Sequence, residues 1–181
     1  LDELGEILNG AEDVGVWPHQ LAQLNVVLAQ KPGGGERDLC LTAMCERLWG
    51  RARRPFMAAW SEERAGLWDS PVAGSSALRE ALGRALGIEA HLLQGFVAAM
   101  ALLDIGKFYA TIQLLPLFLA GVQGAYPLRI LVLAIGLYSA PRNLVWQGWL
   151  SKPIVPGASV GAGKGNGTNC AKLILSGVME W

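Results

Sequence analysis

In the stretch "LLDIGKFYATI" a carboxylate, Asp104, closes an apolar run, with Lys107 three positions later and Phe108 and Tyr109 directly after that. A carboxylate at the end of a buried strand is costly to desolvate unless something binds it. Two uses meet that cost. Asp104 can cap a helix whose core holds Phe108 and Tyr109, because Asp is a favoured N-cap. It can equally hold a hard divalent ion, which takes oxygen ligands. A second stretch, "GASVGAGKGNGTNCAK" from Gly157 to Lys172, crowds glycines around a lysine in the manner of a phosphate-binding loop. That loop requires G-x-x-x-x-G-K-[ST]. Gly163 and Lys164 supply the G-K pair, but Ala158 stands at the first glycine and Gly165 at the hydroxyl position. Pro153 and Pro156 also fall where a central strand must donate ladder hydrogen bonds. A P-loop-like nucleotide binder is therefore the lesser alternative.

The remaining candidates for chemistry are sparse. His19 and His91 are isolated from any ligand set, and the 3 cysteines, Cys40, Cys45 and Cys170, lack paired C-x-x-C spacing. Neither a structural zinc site nor a disulfide framework is expected, and a reducing, intracellular setting (cytoplasm or nucleus) fits. Hydrophobic residues make up 52% of the 181 and charged residues 17%, a balance that excludes disorder. Net charge is zero but unevenly spread. Between Asp104 and Glu180 there is no carboxylate, while Lys107, Arg129, Arg142, Lys152, Lys164 and Lys172 all lie there. Such a segment suits a polyanion such as nucleic acid. It also suits a membrane, and the uncharged run 108–128 approaches the roughly 20 residues a span needs. Gln113, Pro116, Gln123 and Pro127 interrupt that run. A membrane-inserted segment near 108–128 is the rival reading.

The elements that must position these residues read as follows. "NVVLAQ" and "DLCLT" flank the turn signal "KPGGGE", which predicts two strands joined in a hairpin after a short helix start. Leu21, Leu24 and Leu28 also fit one face of a helix over 18–30. "AMCERLWGRARRPFMAAW" predicts a helix ending before Pro55, with Arg47, Arg51 and Arg54 on one side. "SSALREALGRALG" predicts a helix capped by Ser75 or Ser76, striped by Leu78, Leu82 and Leu86 and ended at Gly87. A second apolar helix is expected from Glu89, and another after Pro127 in "PLRILVLAIGLYSAP". "RNLVWQGWLSKPIVPG" has strand character, and a helix is expected after the glycine loop. Trp49, Trp60, Trp68, Trp146 and Trp149 are expected in the core or between helices. Strands and helices do not alternate as in a doubly wound fold, so the class is α+β and helix-rich.

The order of these pieces resembles the front half of a reverse transcriptase of the non-LTR retrotransposon type. "VLAQKPGGGERDLCLTAMCERLWGR" resembles the fingers segment, with a lysine before a glycine turn and an arginine opening the next strand. "LLDIGKFYATI" resembles motif A. "VGAGKGNGTNCAKLIL" resembles motif B in the form A-G-x-x-x-[AG]-T-x-x-x-K, matched by Ala162, Gly163, Gly167, Thr168 and Lys172. The resemblance runs from about Trp17 to Leu175, leaving residues 1–15 as an N-terminal segment and 16–181 as a fingers and palm piece. Asp38 stands where the family commonly has proline, and Ala110 where an aspartate usually follows the aromatic pair.

The resemblance implies a fingers hairpin, helices and a partial palm sheet, and an RNA-directed DNA polymerase using Mg²⁺ or Mn²⁺. Asp104 would be the catalytic carboxylate and a metal ligand, assisted by the backbone carbonyl of Ile105. Tyr109 would be the gate against a ribonucleotide 2′-hydroxyl. Lys31 and Arg37 would meet the triphosphate, and Gly163 would let main chain approach the nucleotide. Arg51, Arg54, Lys164 and Lys172 would follow nucleic-acid phosphates. The implied partners are template RNA or DNA, a primer terminus and dNTPs. The motif C carboxylates would lie beyond Trp181, so this piece alone is expected to be inactive.

Overall fold

The hairpin around "KPGGGE" forms. In a computed structural model, which describes residues 2–65, 76–100, 105–161 and 166–179, β1 (Leu24–Gln30) and β2 (Glu36–Leu41) pair antiparallel from Asn25↔Leu41 to Gln30↔Glu36. The turn closes through Lys31 N–H to the Gly35 carbonyl at 3.0 Å, with Gly34 and Gly35 at φ 89° and 81°. Only glycine adopts such angles without strain. The other edge of β1 pairs in parallel with β3 (Arg142–Trp146), from Leu24↔Arg142 to Val27↔Val145. β3 then turns through Gln147 and Gly148, at φ 46° and 85°, into the antiparallel β4 (Trp149–Leu150). Two positive φ values in a two-residue loop are the mark of a type I′ hairpin. The sheet order is β2-β1-β3-β4.

The chain divides into two compact units, Leu1–Trp60 with Lys107–Trp181, and Ser61–Gly106. Helix α1 (Asp2–Val14) belongs to the first and packs on the helix formed by Leu128–Tyr138. Helix α2 (Met44–Glu63) does not stop before Pro55 but runs through it. Trp49, Arg53, Met57 and Trp60 follow one another at helical spacing, so buried anchors hold the helix on both sides of an exposed proline. That tertiary grip outweighs the roughly 3 kcal/mol that an interior proline costs. In the second unit, α3 (Ala77–Leu93) is capped by Ser76, whose Oγ accepts the Arg79 N–H at 3.2 Å. It passes through Gly87 and absorbs the separate helix expected from Glu89. The real stop is Gly95 at φ 80°, where Gly95 N–H bonds to Leu92 and Phe96 N–H to His91. This is the Schellman pattern, with its left-handed residue supplied by glycine. Leu78, Leu82 and Leu86 form a stripe as expected, but it is exposed.

In the first unit, the uncharged run 108–128 breaks into α4 (Phe108–Thr111) and α5 (Leu114–Gln123). α5 is about 15 Å long, half of the roughly 30 Å hydrocarbon core. Among the described residues no helix is long and apolar enough to cross a membrane. Pro116 falls in the first turn of α5, where its missing N–H has no intrahelical acceptor to lose. α6 (Leu128–Tyr138) is apolar after Arg129, which pairs with Asp13 of α1 at 2.8 Å, and is buried at Ile130, Leu131, Leu133, Ala134, Leu137 and Tyr138. α7 (Gly167–Met179) packs on α5. Gly121 lies against Leu131 so closely that a Cβ there would collide with the Leu131 side chain. The strand expected to end in Asp104 lies at 101–104, outside the described residues.

Three buried tryptophans organise this core, each with its indole N–H satisfied. Trp17 donates to the Leu133 carbonyl at 3.0 Å, Trp49 to Glu12 Oε1 at 2.5 Å and Trp60 to the Gly124 carbonyl at 2.8 Å. Trp17 and Trp49 meet edge to face at 5.3 Å, and Trp60 meets Tyr126 at 4.9 Å. Trp146 and Trp149 depart from expectation: they lie on the β3–β4 hairpin, 39% and 79% exposed. A two-residue loop closes between them and leaves no covering layer. Trp68 lies outside the described residues.

Candidate functional site

Two segments singled out by the sequence meet in the first unit. The chain entering the glycine loop runs beside the chain that follows Asp104. Ser159 N–H bonds to the Ile112 carbonyl at 2.9 Å, and Val160 N–H to the Tyr109 carbonyl at 2.8 Å. Ser159 and Val160 are buried by this contact. On the far side of the loop, Gly167 opens α7 against the Tyr109 ring. A Cβ at position 167 would lie 3.7 Å from Tyr109 Cε1. Tyr109 is half-buried and meets Phe108 at 5.6 Å between ring centroids. The short helix carrying both rings starts at Lys107, which takes a left-handed φ of 53°.

Both ends of the loop are pinned. At the entry, Ser159 has φ 123°, a strained conformation for a residue with a Cβ. Arg142 Nη1 donates to Ser159 Oγ and Nη2 to the Ser159 carbonyl, both at 3.0 Å, and Nη2 also reaches the Tyr138 carbonyl at 2.8 Å. Among the described residues Arg142 Nε is buried without a hydrogen-bond partner. At the exit, the Asn166 carbonyl accepts Cys170 N–H at 3.0 Å, and its side-chain oxygen accepts the Tyr138 hydroxyl at 2.5 Å. Burial pushes the Tyr138 phenol well above its ordinary pKa, so it stays a neutral donor. Burial raises Tyr126 in the same way. Neither Arg142 nor Tyr138 is marked by a motif. The sequence shows Arg142 only as one base among six, because its partner Ser159 is brought to it by the fold.

The other expected site residues fall as follows. Lys31 and Arg37 are exposed on the β1–β2 hairpin, and among the described residues no hydrogen bond or ion pair joins either to Tyr109. Arg51 and Arg54 are exposed on α2. Arg53, between them, is instead structural, bound through Nε and Nη2 to the buried Glu12. Lys172 is only 6% exposed, with Nζ 5.8 Å from the centre of the Trp60 ring. Its burial on that ring gives it a packing role in the core. Ile105 is exposed. Asp104, Gly163 and Lys164 lie outside the described residues. Among the described residues no group of three metal-ligating side chains comes together. The approach to the loop, 155–161, lies outside the named strands, unlike the parallel strand that feeds a P-loop. Scanned against models of known protein families the chain matches none, and a search of curated proteins finds no match.

Proposed function

We propose that the chain is the fingers and part of the palm of a reverse transcriptase, an RNA-directed DNA polymerase. One observation carries this reading: Tyr109, five positions after Asp104, lies against Gly167 and is hydrogen-bonded through its carbonyl to the entry of the glycine loop. A gate against the 2′-hydroxyl and a glycine turn beside the incoming nucleotide must border one site, and these two segments are neighbours.

In this reading the primer 3′-hydroxyl gives up its proton and attacks the α-phosphate in line, the α–β phosphoanhydride bond breaks, and pyrophosphate leaves. Asp104 and the Ile105 carbonyl would hold Mg²⁺ or Mn²⁺, which when bound stabilises charge on the attacking and leaving oxygens. The Tyr109 ring bounds the sugar pocket and excludes a 2′-hydroxyl. The glycine turn lets main chain approach base and sugar, and the clamps at Ser159 and Asn166 fix the ends of that turn. Lys31 and Arg37 would steer the triphosphate, Arg by a bidentate contact. Arg51 and Arg54 would follow template phosphates.

The test is Asp104→Asn in a polymerase that contains this chain. Primer extension should be abolished while template binding survives, because a lost metal ligand removes transition-state stabilisation. Extension at the wild-type rate would reassign Asp104 as a helix cap.

A further inference from the structure

Trp149 is 79% exposed and Trp146 39% exposed, whereas Trp17, Trp49 and Trp60 are all buried. The register Trp146↔Trp149 puts both indoles on one face of the β3–β4 hairpin, with Leu144 two positions away on the same face. Their support is rigid. The turn between them has only two residues, and Ser151 clasps the base of the hairpin. Ser151 N–H bonds to the Leu144 carbonyl and Leu144 N–H to Ser151 Oγ, both at 2.9 Å. The chain carries no carboxylate between Asp104 and Glu180, and the exposed Lys152 follows Trp149 by three positions; the nearest acid in the sheet pairing, Asp38 of β2, lies two strands from Trp146 on the same face. Exposed aromatic faces on a short hairpin with an exposed lysine at its base supply the two chemistries that bind unpaired bases and their phosphates.

We infer that the β3–β4 hairpin is a stacking platform for a single-stranded polynucleotide. Trp149 is the main stacking residue, Trp146 its neighbour and Lys152 a phosphate contact. The inference rests on the polymerase reading for the identity of the ligand, and it places unpaired template on this hairpin. A duplex would not engage it, because paired bases already stack on one another.

The experiment is fluorescence anisotropy of a labelled oligothymidylate about 15 nucleotides long with the 181-residue chain, without metal or dNTP. Trp149→Ala should weaken binding roughly 5- to 150-fold, the range for loss of one base–aromatic stack, and Trp149→Phe should retain most of the affinity. Binding to a duplex of equal length should not respond to Trp149→Ala, nor should the thermal midpoint of so exposed a site. Wild-type affinity in Trp149→Ala, an equal loss on duplex, or no binding by the wild-type chain would each overturn the platform. So would Trp149-dependent capture by neutral phosphatidylcholine vesicles, which would make the hairpin a membrane contact. Because the readout involves no nucleotidyl transfer, its failure leaves the Asp104→Asn test standing, and failure of that test leaves this one standing.

Discussion

Arg142 grips Ser159 at both polar ends, Nη1 on the hydroxyl and Nη2 on the carbonyl, each at 3.0 Å. The gripped residue is the one whose φ of 123° a side chain resists. Strain of this kind persists where surrounding bonds over-determine it. Arg142→Ala should therefore destabilise the protein by about 2–3 kcal/mol, the scale of hydrogen bonds to a charged group. Arg142→Lys should not restore it, since an ammonium lacks the planar fork. Ser159→Gly should cost less than Ser159→Ala, because glycine relieves the backbone. Urea unfolding midpoints decide this, and equal midpoints for the two Ser159 variants would remove the strain from the account.

Tyr109 supplies a prediction about substrate choice. On the polymerase reading, Tyr109→Ala should raise incorporation of ribonucleotides relative to deoxyribonucleotides in single-nucleotide extension. Unchanged discrimination would leave Tyr109 as a packing residue for Gly167 and Phe108.

Acid sensitivity should centre on Glu12. Burial raises its carboxyl, but hydrogen bonds from Arg53 and Trp49 and the Arg53 charge outweigh that and hold it below the usual carboxylate value. A group depressed in the folded state stabilises fully above its unfolded pKa, here ~4.3, and loses that contribution as pH falls through the lower folded value. Glu12→Gln should lower stability at neutral pH by leaving Arg53 without its anion, and should flatten the decline below about pH 4. Identical pH profiles for the two proteins would contradict this.

The basic residues should separate into two classes. Arg51→Ala with Arg54→Ala should weaken oligonucleotide binding and reduce the salt slope by about 0.7 per lost phosphate contact, with little change in stability. Lys172→Ala should act in the opposite sense, lowering the unfolding midpoint through lost packing on Trp60 and leaving the salt slope alone. A salt slope that moves with Lys172 and not with the arginines would reverse the assignment.

What was legible in the sequence was local. The β1–β2 hairpin follows from a glycine turn between two short apolar runs, α6 from the apolar stretch after Arg129, and the α3 cap from Ser76. What was not legible depends on distant partners. Pro55 does not end α2, because Trp49, Met57 and Trp60 find a core on either side of it. Gly87 does not end α3, since a glycine stops a helix only where it takes positive φ, and here Gly95 does so. Trp146 and Trp149 look like core residues by type, yet a two-residue loop leaves them uncovered. Of the candidate site, Tyr109 and Gly167 were both singled out by type, and the fold brings them together. The Arg142–Ser159 clamp has no motif, and the burial of Lys172 cannot be told from its letter.

The parallel pairing of β1 with β3 has a consequence in time. Leu24 waits for Arg142, so the sheet closes across roughly 120 residues of chain, a long-range contact of the kind that slows folding. During synthesis at about 5–20 residues per second, β1 and β2 can zip together early while the inner edge of β1 stays open for roughly 6–24 s. Through that interval the edge is a template for any passing strand, and Val26 and Val27 lie on it. Newborn chains should therefore need a chaperone until β3 emerges from the ribosome, and slowing translation between β2 and β3 should lower the yield of folded protein.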